Sequence, residues 1–243
     1  MLPAKLPTKL SVKSVGFSGM KQNSSQRRML IFDFDGVVVD TERVHFDSWN
    51  AAFEQMYGVT MSGDHTQIVG LSLDQLFVMW QQQGLLPPSK LTNQDKFNFL
   101  ECKTAHFYRI GATKLAAMAG LSELVQQVRA QGWYVAIASR SRRLRLLKTL
   151  ELVGITIPFD IILGTEDVVN SSSDRKEHHR AAHIFGIESN HCIVIEDSPS
   201  GVADAIASGI GHVIGITTSF NRQSLLDAGA HVVVNALEQV VIL

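Results

Sequence analysis

Two aspartates one residue apart, Asp33 and Asp35, stand at the end of the apolar run Met29-Leu-Ile-Phe32 and are followed by Gly36. Carboxylates fixed that close at the end of a buried strand repel each other and call for a cation. They can also divide labour, one attacking an electrophile while the other carries a proton. That division suits transfer of a phosphoryl group to an aspartate. The plain alternative for an isolated Asp-x-Asp is a strand end with two solvated acids. A second acidic pair, Glu196-Asp197, closes the run Cys192-Ile-Val-Ile195 and leads into Ser198-Pro-Ser-Gly201. Two acid clusters at one sheet edge with no cation between them would cost on the order of several kcal/mol. Mg²⁺, with oxygen ligands and retained waters, answers that cost best. The competing reading has Glu196 and Asp197 only complementing the dipole of the next helix. After the run ending at Ala138 comes Ser139-Arg140-Ser141, whose hydroxyl and backbone N–H groups could hold a phosphate oxygen or simply cap a helix. A cation to offset phosphate charge is also required. Arg175 and Lys176 offer it just before the helix that opens at Glu177, with Lys176 the first choice and a solvated helix start the alternative.

Positioning these residues together takes a sheet. Strand-length apolar runs fall at 29–33, 133–138, 160–163, 192–196, 212–216 and 231–234, mostly without polar alternation. Such strands are buried on both faces, as in a parallel sheet covered by helices. Amphipathic stretches at 121–131, 141–153, 177–186, 199–208 and 221–228 alternate with them, which predicts a doubly wound α/β sheet. The alternation breaks once. Between the first strand and the next, stretches 43–57, 72–83 and 94–109 read as helices, punctuated by Gly84-Leu-Leu-Pro-Pro88. Inserted there, residues 43–112 are expected to form a small helical cap over the carboxyl ends of the strands, where open α/β sheets bind ligands. Residues 29–42 and 113–243 then make up the core.

With 243 residues and 45% hydrophobic content, the chain has the composition of a globular protein with a sizeable core. No basic excess points to nucleic acid, and no apolar run approaches the roughly 20 residues that span a bilayer. Cys102 and Cys192 fit no metal spacing and read as reduced thiols of a cytoplasm-like compartment. The first 28 residues differ: Lys5, Lys9, Lys13, Lys21, Arg27 and Arg28 are accompanied by five serines and no acid. An organelle transit peptide has that character, but a disordered basic leader over residues 1–28, or a start at Met20 or Met29, is the favoured reading.

Taken together, Asp33-Phe-Asp35-Gly-Val-Val-Val-Asp-Thr41, Ala136-Ile-Ala-Ser139 and Glu196-Asp197-Ser-Pro-Ser-Gly201 resemble the first, second and fourth motifs of the haloacid dehalogenase superfamily, and more closely its β-phosphoglucomutase-like phosphatase branch. The likeness covers residues 29–243, including Ala207-Ser-Gly209 and Leu226-Asp-Ala-Gly229 in the tail. It implies that Asp33 is a nucleophile forming a phosphoaspartate and that Asp35 is the acid/base. It implies Mg²⁺ held by the Asp33 carboxylate, the Asp35 backbone carbonyl and Asp197, with Glu196 close by. Ser139 and the Arg140 N–H would bind the phosphoryl group, Lys176 would neutralise it, and a cap bearing His45 and the loop around Gly70 would close over the substrate. Two departures stand out. The third motif usually places Lys before a Pro-x-Pro-Asp turn, whereas Ser172-Ser-Asp-Arg-Lys176 has no proline, so Arg175 competes with Lys176. Sugar-phosphate mutases of the branch carry Lys and Arg flanking the cap loop, where this chain has Val69 and Leu73. That favours hydrolysis of a small phosphate ester over mutase chemistry. A non-catalytic module that kept the fold is the third reading, and dehalogenation the last, because Asp35 is present. Cap residues such as His45 and Trp49 would set specificity. The expected partner is a small-molecule phosphate ester, with no nucleic acid or membrane, for a monomer or weak dimer.

Overall fold

A computed structural model of the protein describes residues 27–63, 68, 71, 73–87, 91–167 and 177–242. Six strands, β1 (Met29–Phe32), β2 (Tyr134–Ala138), β3 (Ile161–Leu163), β4 (Cys192–Glu196), β5 (His212–Ile216) and β6 (Val232–Val234), form one sheet in the order β3-β2-β1-β4-β5-β6. Every neighbouring pair is parallel. The strands begin up to one residue later than the apolar runs suggest. At 160 the reason is plain: the Asp160 carboxylate accepts from the Val135 N–H at 2.7 Å, so that residue caps the neighbouring strand instead of extending its own.

Side chains of β1 alternate between two cores, as a pleated strand buried on both faces requires. Leu30 and Phe32 join the cluster that α4 (Leu121–Ala130) and α5 (Arg143–Leu152) cover, and Met29 and Ile31 join the one under α6 (Glu177–Ile184), α7 (Pro199–Ala207) and α8 (Arg222–Asp227). Local signals start these helices. The Ser198 side chain accepts from the Gly201 N–H with Pro199 at the first position of α7, and Asn221 caps α8 in the same way. Helix α5 begins two residues later than expected, at Arg143, which leaves Ser139–Arg142 as a loop at the sheet edge.

Three further helices, α1 (Glu42–Tyr57), α2 (Leu73–Gln82) and α3 (Asn93–Lys114), share a core of their own around Trp80, Trp49, Phe53, Phe77 and Phe99. Helix α3 starts on a reciprocal capping box between Thr92 and Asp95. The chain leaves the sheet for this helical unit and returns to it side by side: Asp40 N–H donates to Ala116 O at 3.1 Å and Met118 N–H to Val38 O at 3.0 Å. Among the described residues no helix is long and apolar enough to cross a membrane.

Candidate active site

Strand register brings the acids together. Phe32 pairs with Ile137 of β2 and with Ile195 of β4, so Asp33 follows β1 level with Ala138 and Glu196. The Asp33 N–H donates to Ile195 O at 3.0 Å, which continues the ladder past the end of β1. Gly36 then takes φ +73°, and the N–H groups of Val38 and Val39 fold back onto Phe34 O at 2.9 and 3.1 Å. This tight loop turns Asp35 back over the strand ends. A side chain is excluded at Gly36: a Cβ there would overlap the Asp197 carboxylate and lie 3.1 Å from Ser219 Oγ.

Asp33, Glu196 and Asp197 offer carboxylate oxygens that all lie within 4.8 Å of one another. Glu196 and Asp197 are each 4% exposed. Burial first, then the charges of Glu196, Asp197 and Asp35, push the Asp33 carboxyl well above the usual aspartate range. Burial and Glu196 likewise raise Asp197, although Ser219 and Thr218 hydroxyls donate to its Oδ2. The chemistry of this donor set fits a hard divalent cation: only carboxylate oxygens converge, and the neighbouring acids make ionisation of Asp33 and Asp197 harder. Behind them lies His178, buried on α6 with Nε2 3.4 Å from Glu196 Oε1.

Asp35 has the opposite surroundings. The Arg145 guanidinium forks onto it, Nη1 to Oδ1 at 3.1 Å and Nη2 to Oδ2, while Thr41 donates to Oδ1 at 2.6 Å and Ser141 to Oδ2 at 3.2 Å. Burial alone would raise its pKa, but Arg145 and then His45 hold it well below the usual range. His45 Nδ1 faces Lys103 Nζ at 2.7 Å, and its Nε2 points to Asp35 Oδ1 at 3.5 Å. With Nδ1 accepting from the ammonium, the ring carries its hydrogen on Nε2. Burial, then Lys103, brings His45 down to about 4, and burial, then Arg145, brings Lys103 down to about 7. Lys103 also lies over the Trp49 and Phe107 rings, at 5.0 and 4.9 Å. Glu42, raised to about 7 by burial and then by Asp35, faces the same space.

A cavity of 610 Å³ opens onto these groups, lined by Asp33, Asp35, Ser139, Arg140, Asp197 and Ser200 on the sheet side and by Glu42, Leu71 and Gln75 of the helical unit and its entry. Of the residues expected at the site, Asp33, Asp35, Ser139, Arg140, Glu196, Asp197 and His45 converge here. Ser139 is buried, its N–H donating to Leu163 O, and the Arg140 side chain donates to Ser200 Oγ at 2.9 Å. Gly70, Val69, Arg175 and Lys176 lie outside the described residues, and Leu73 opens α2. Trp49 is not a cavity wall: it packs on Trp80 and Phe99 in the core of the helical unit. Sequence reasoning missed Arg145, His178, Lys103 and Ser219. Ser219 could have been found as a hydroxyl just past a strand end; the other three are helix-face residues with no local signal.

Comparison with known proteins agrees with this architecture. The family model described as haloacid dehalogenase-like hydrolase matches residues 30–222, and the chain belongs to that family. It is 27% identical over 205 residues to the phosphorylated carbohydrates phosphatase of Thermotoga maritima, spanning 83% of this chain and 91% of that protein. It is 24% identical to the β-phosphoglucomutase of Bacillus subtilis, over 75% of this chain and 80% of the relative. Among solved structures, a family hydrolase from Deinococcus radiodurans with bound phosphate and sodium superposes with a TM-score of 0.66 at 26% identity, covering 88% of this chain and 93% of the other.

Proposed function

We propose that the chain is a Mg²⁺-dependent phosphomonoester hydrolase that acts on a small phosphorylated sugar through an aspartyl-phosphate on Asp33. The observation that carries this reading is the contrast between two carboxylates one residue apart. Asp33 stands among acids that a cation would neutralise, and Asp35 is held by cationic and hydrogen-bond donors at the wall of the same cavity. Pairs of carboxyls with opposed environments mark separate chemical roles. The relatives' names support the substrate class.

Asp33, Asp197 and Glu196 would hold the metal, together with the Asp35 backbone carbonyl. When bound, Mg²⁺ supplies positive charge that lets an ionised Asp33 and a phosphate dianion approach each other. Asp33 Oδ attacks phosphorus, and the ester's P–O bond breaks as its oxygen takes a proton from Asp35. That proton is one Asp35 first accepts, for instance from a phosphate ester arriving as the monoanion, because Asp35 is a carboxylate in this arrangement. Water then attacks the phosphoaspartate, Asp35 takes its proton, and Asp33 is released with inorganic phosphate. Ser139 and the Arg140 N–H would bind the phosphoryl oxygens, with Lys176 as the neutralising cation. The helical unit, with His45 and Gly70, would act as the cap that keeps water out during transfer.

The test is phosphate release across a panel of sugar, glycerol, glycolate and nucleotide monophosphates, with and without Mg²⁺. Mg²⁺-dependent release from sugar phosphates is the expected result. No release from any of them would leave a non-catalytic module. Conversion of β-glucose 1-phosphate to glucose 6-phosphate faster than phosphate release would make the protein a mutase.

A further inference from the structure

Arg145 takes no part in the cavity wall, yet its guanidinium bonds both carboxylate oxygens of Asp35. Its neighbours Arg140, Arg142 and Arg143 are exposed, whereas the Arg145 side chain is 17% exposed and turned inward. The guanidinium lies 5.6 Å from the Phe34 ring centre and 5.8 Å from that of Phe107 on α3. Two aromatic faces therefore fix its plane, and the fork onto Asp35 fixes the carboxylate's plane in turn. Nη2 also donates to Ser141 Oγ, which itself donates to Asp35 Oδ2. Thr41 and His45 bear on Oδ1 and Ser141 on Oδ2, each on one oxygen; Arg145 is the side chain that grips both, and it holds Ser141 as well.

The geometry points to Arg145 as a positioning residue that aims Asp35 as the base for hydrolysis of the Asp33 acyl phosphate, and through Phe107 ties that aim to the helical unit. This rests on the phosphatase reading above. In that step the water oxygen forms a bond to phosphorus, the bond from phosphorus to Asp33 Oδ breaks, and the water's proton passes to Asp35. Proton abstraction needs the base within hydrogen-bond reach of the water, and a misplacement of about 1 Å costs roughly 10²-fold. Formation of the phosphoenzyme from p-nitrophenyl phosphate makes no such demand, because nitrophenolate departs without a proton.

The test uses the whole protein with Mg²⁺ and p-nitrophenyl phosphate. In Arg145→Met, turnover should fall roughly 10- to 100-fold with KM falling in parallel, so that kcat/KM stays within about threefold. A burst of about one equivalent of nitrophenolate should precede the slow phase. Arg145→Lys, which keeps the charge and loses the fork, should lie between, and it carries the comparison if the methionine variant does not fold. Added to Asp35→Asn, Arg145→Met should cost nothing more, because both act through one carboxylate. Unchanged turnover, kcat and kcat/KM falling together, or a full additional loss on Asp35→Asn would each overturn the assignment. Wild-type protein that releases phosphate neither from p-nitrophenyl phosphate nor from any sugar phosphate would instead overturn the phosphatase reading itself.

Discussion

Gly201, the third residue of α7, gives the sharpest single test of the proposed metal site. In most helices Gly→Ala is stabilising by about 1 kcal/mol, since alanine loses less backbone freedom on folding. Gly201 has no left-handed conformation that would argue against alanine. Yet a Cβ built there falls closer than 3.0 Å to Glu196 Cδ, Oε1 and Oε2, against 3.4 Å for ordinary contact. The carboxylate must therefore retreat by more than 0.4 Å. It has little room: Glu196 is 4% exposed, with His178 Nε2 3.4 Å from Oε1 and the Ser198 hydroxyl 3.4 Å from Oε2. Overpacking of this kind costs about 1–3 kcal/mol, which offsets the helix gain and leaves a net change between about zero and 2 kcal/mol of destabilisation. The functional effect should be larger. Disturbing a group that orients metal ligands weakens metal binding roughly 10- to 100-fold. Mg²⁺ titration of phosphatase activity should move to higher concentration by that factor, with turnover at saturating Mg²⁺ much less affected. A Gly201→Ala protein that is more stable and has an unchanged Mg²⁺ requirement would refute the reasoning, because Glu196 would then not be packed against the helix start beside the metal.

Asp33→Asn should lose at least about 10³-fold in turnover and remain folded, and metal-free protein should gain stability, because one of three converging acids is gone; circular dichroism and thermal unfolding in chelator check both. Gly36→Ala should be worse than Gly201→Ala on both counts, since it adds the cost of φ +73° for a non-glycine residue, about 1–2 kcal/mol, to displacement of Asp197. Without metal, stability should fall as pH rises above the ordinary aspartate value of 3.8 through the raised Asp33 and Asp197 values. The sign follows from linkage: in that window the folded protein holds protons that the unfolded chain has lost, so the unfolded state is favoured by raising pH. Mg²⁺ should flatten the slope, and chemical denaturation from pH 4 to 8 in chelator and in Mg²⁺ measures it.

The order of strands and helices, and the acids at their ends, were legible because a parallel sheet converts sequence position into geometry. Once β1, β2 and β4 are in register, Asp33, Ser139 and Glu196 have nowhere to be but together. The insert was legible as three amphipathic stretches without strand character. Trp49 was misread as a specificity residue because an aromatic on a helix near the site gives no sign of which way it faces; here it faces Trp80. The cationic side of the site was illegible for the same reason. Arg145 is one of four arginines within six residues, and only the packing of α5 against α3 selects it.

That asymmetry bears on how the site works. Asp33 and Asp35 issue from one strand end, so their spacing alone would give them similar surroundings. What separates them is Gly36: its left-handed turn sends Asp35 away from Glu196 and Asp197 and towards Arg145, Thr41 and His45. One carboxyl is then left where burial and neighbouring acids resist its ionisation, and the other where cationic and hydrogen-bond donors favour it. In the proposed mechanism, metal occupancy would govern the nucleophile, while the contacts of α5 and α1 would govern the base. Substitutions at Gly201 and at Arg145 should act on different steps, the first on Mg²⁺ dependence and the second on phosphoenzyme hydrolysis. Variants that mixed these effects would mean the two carboxyls share one environment after all.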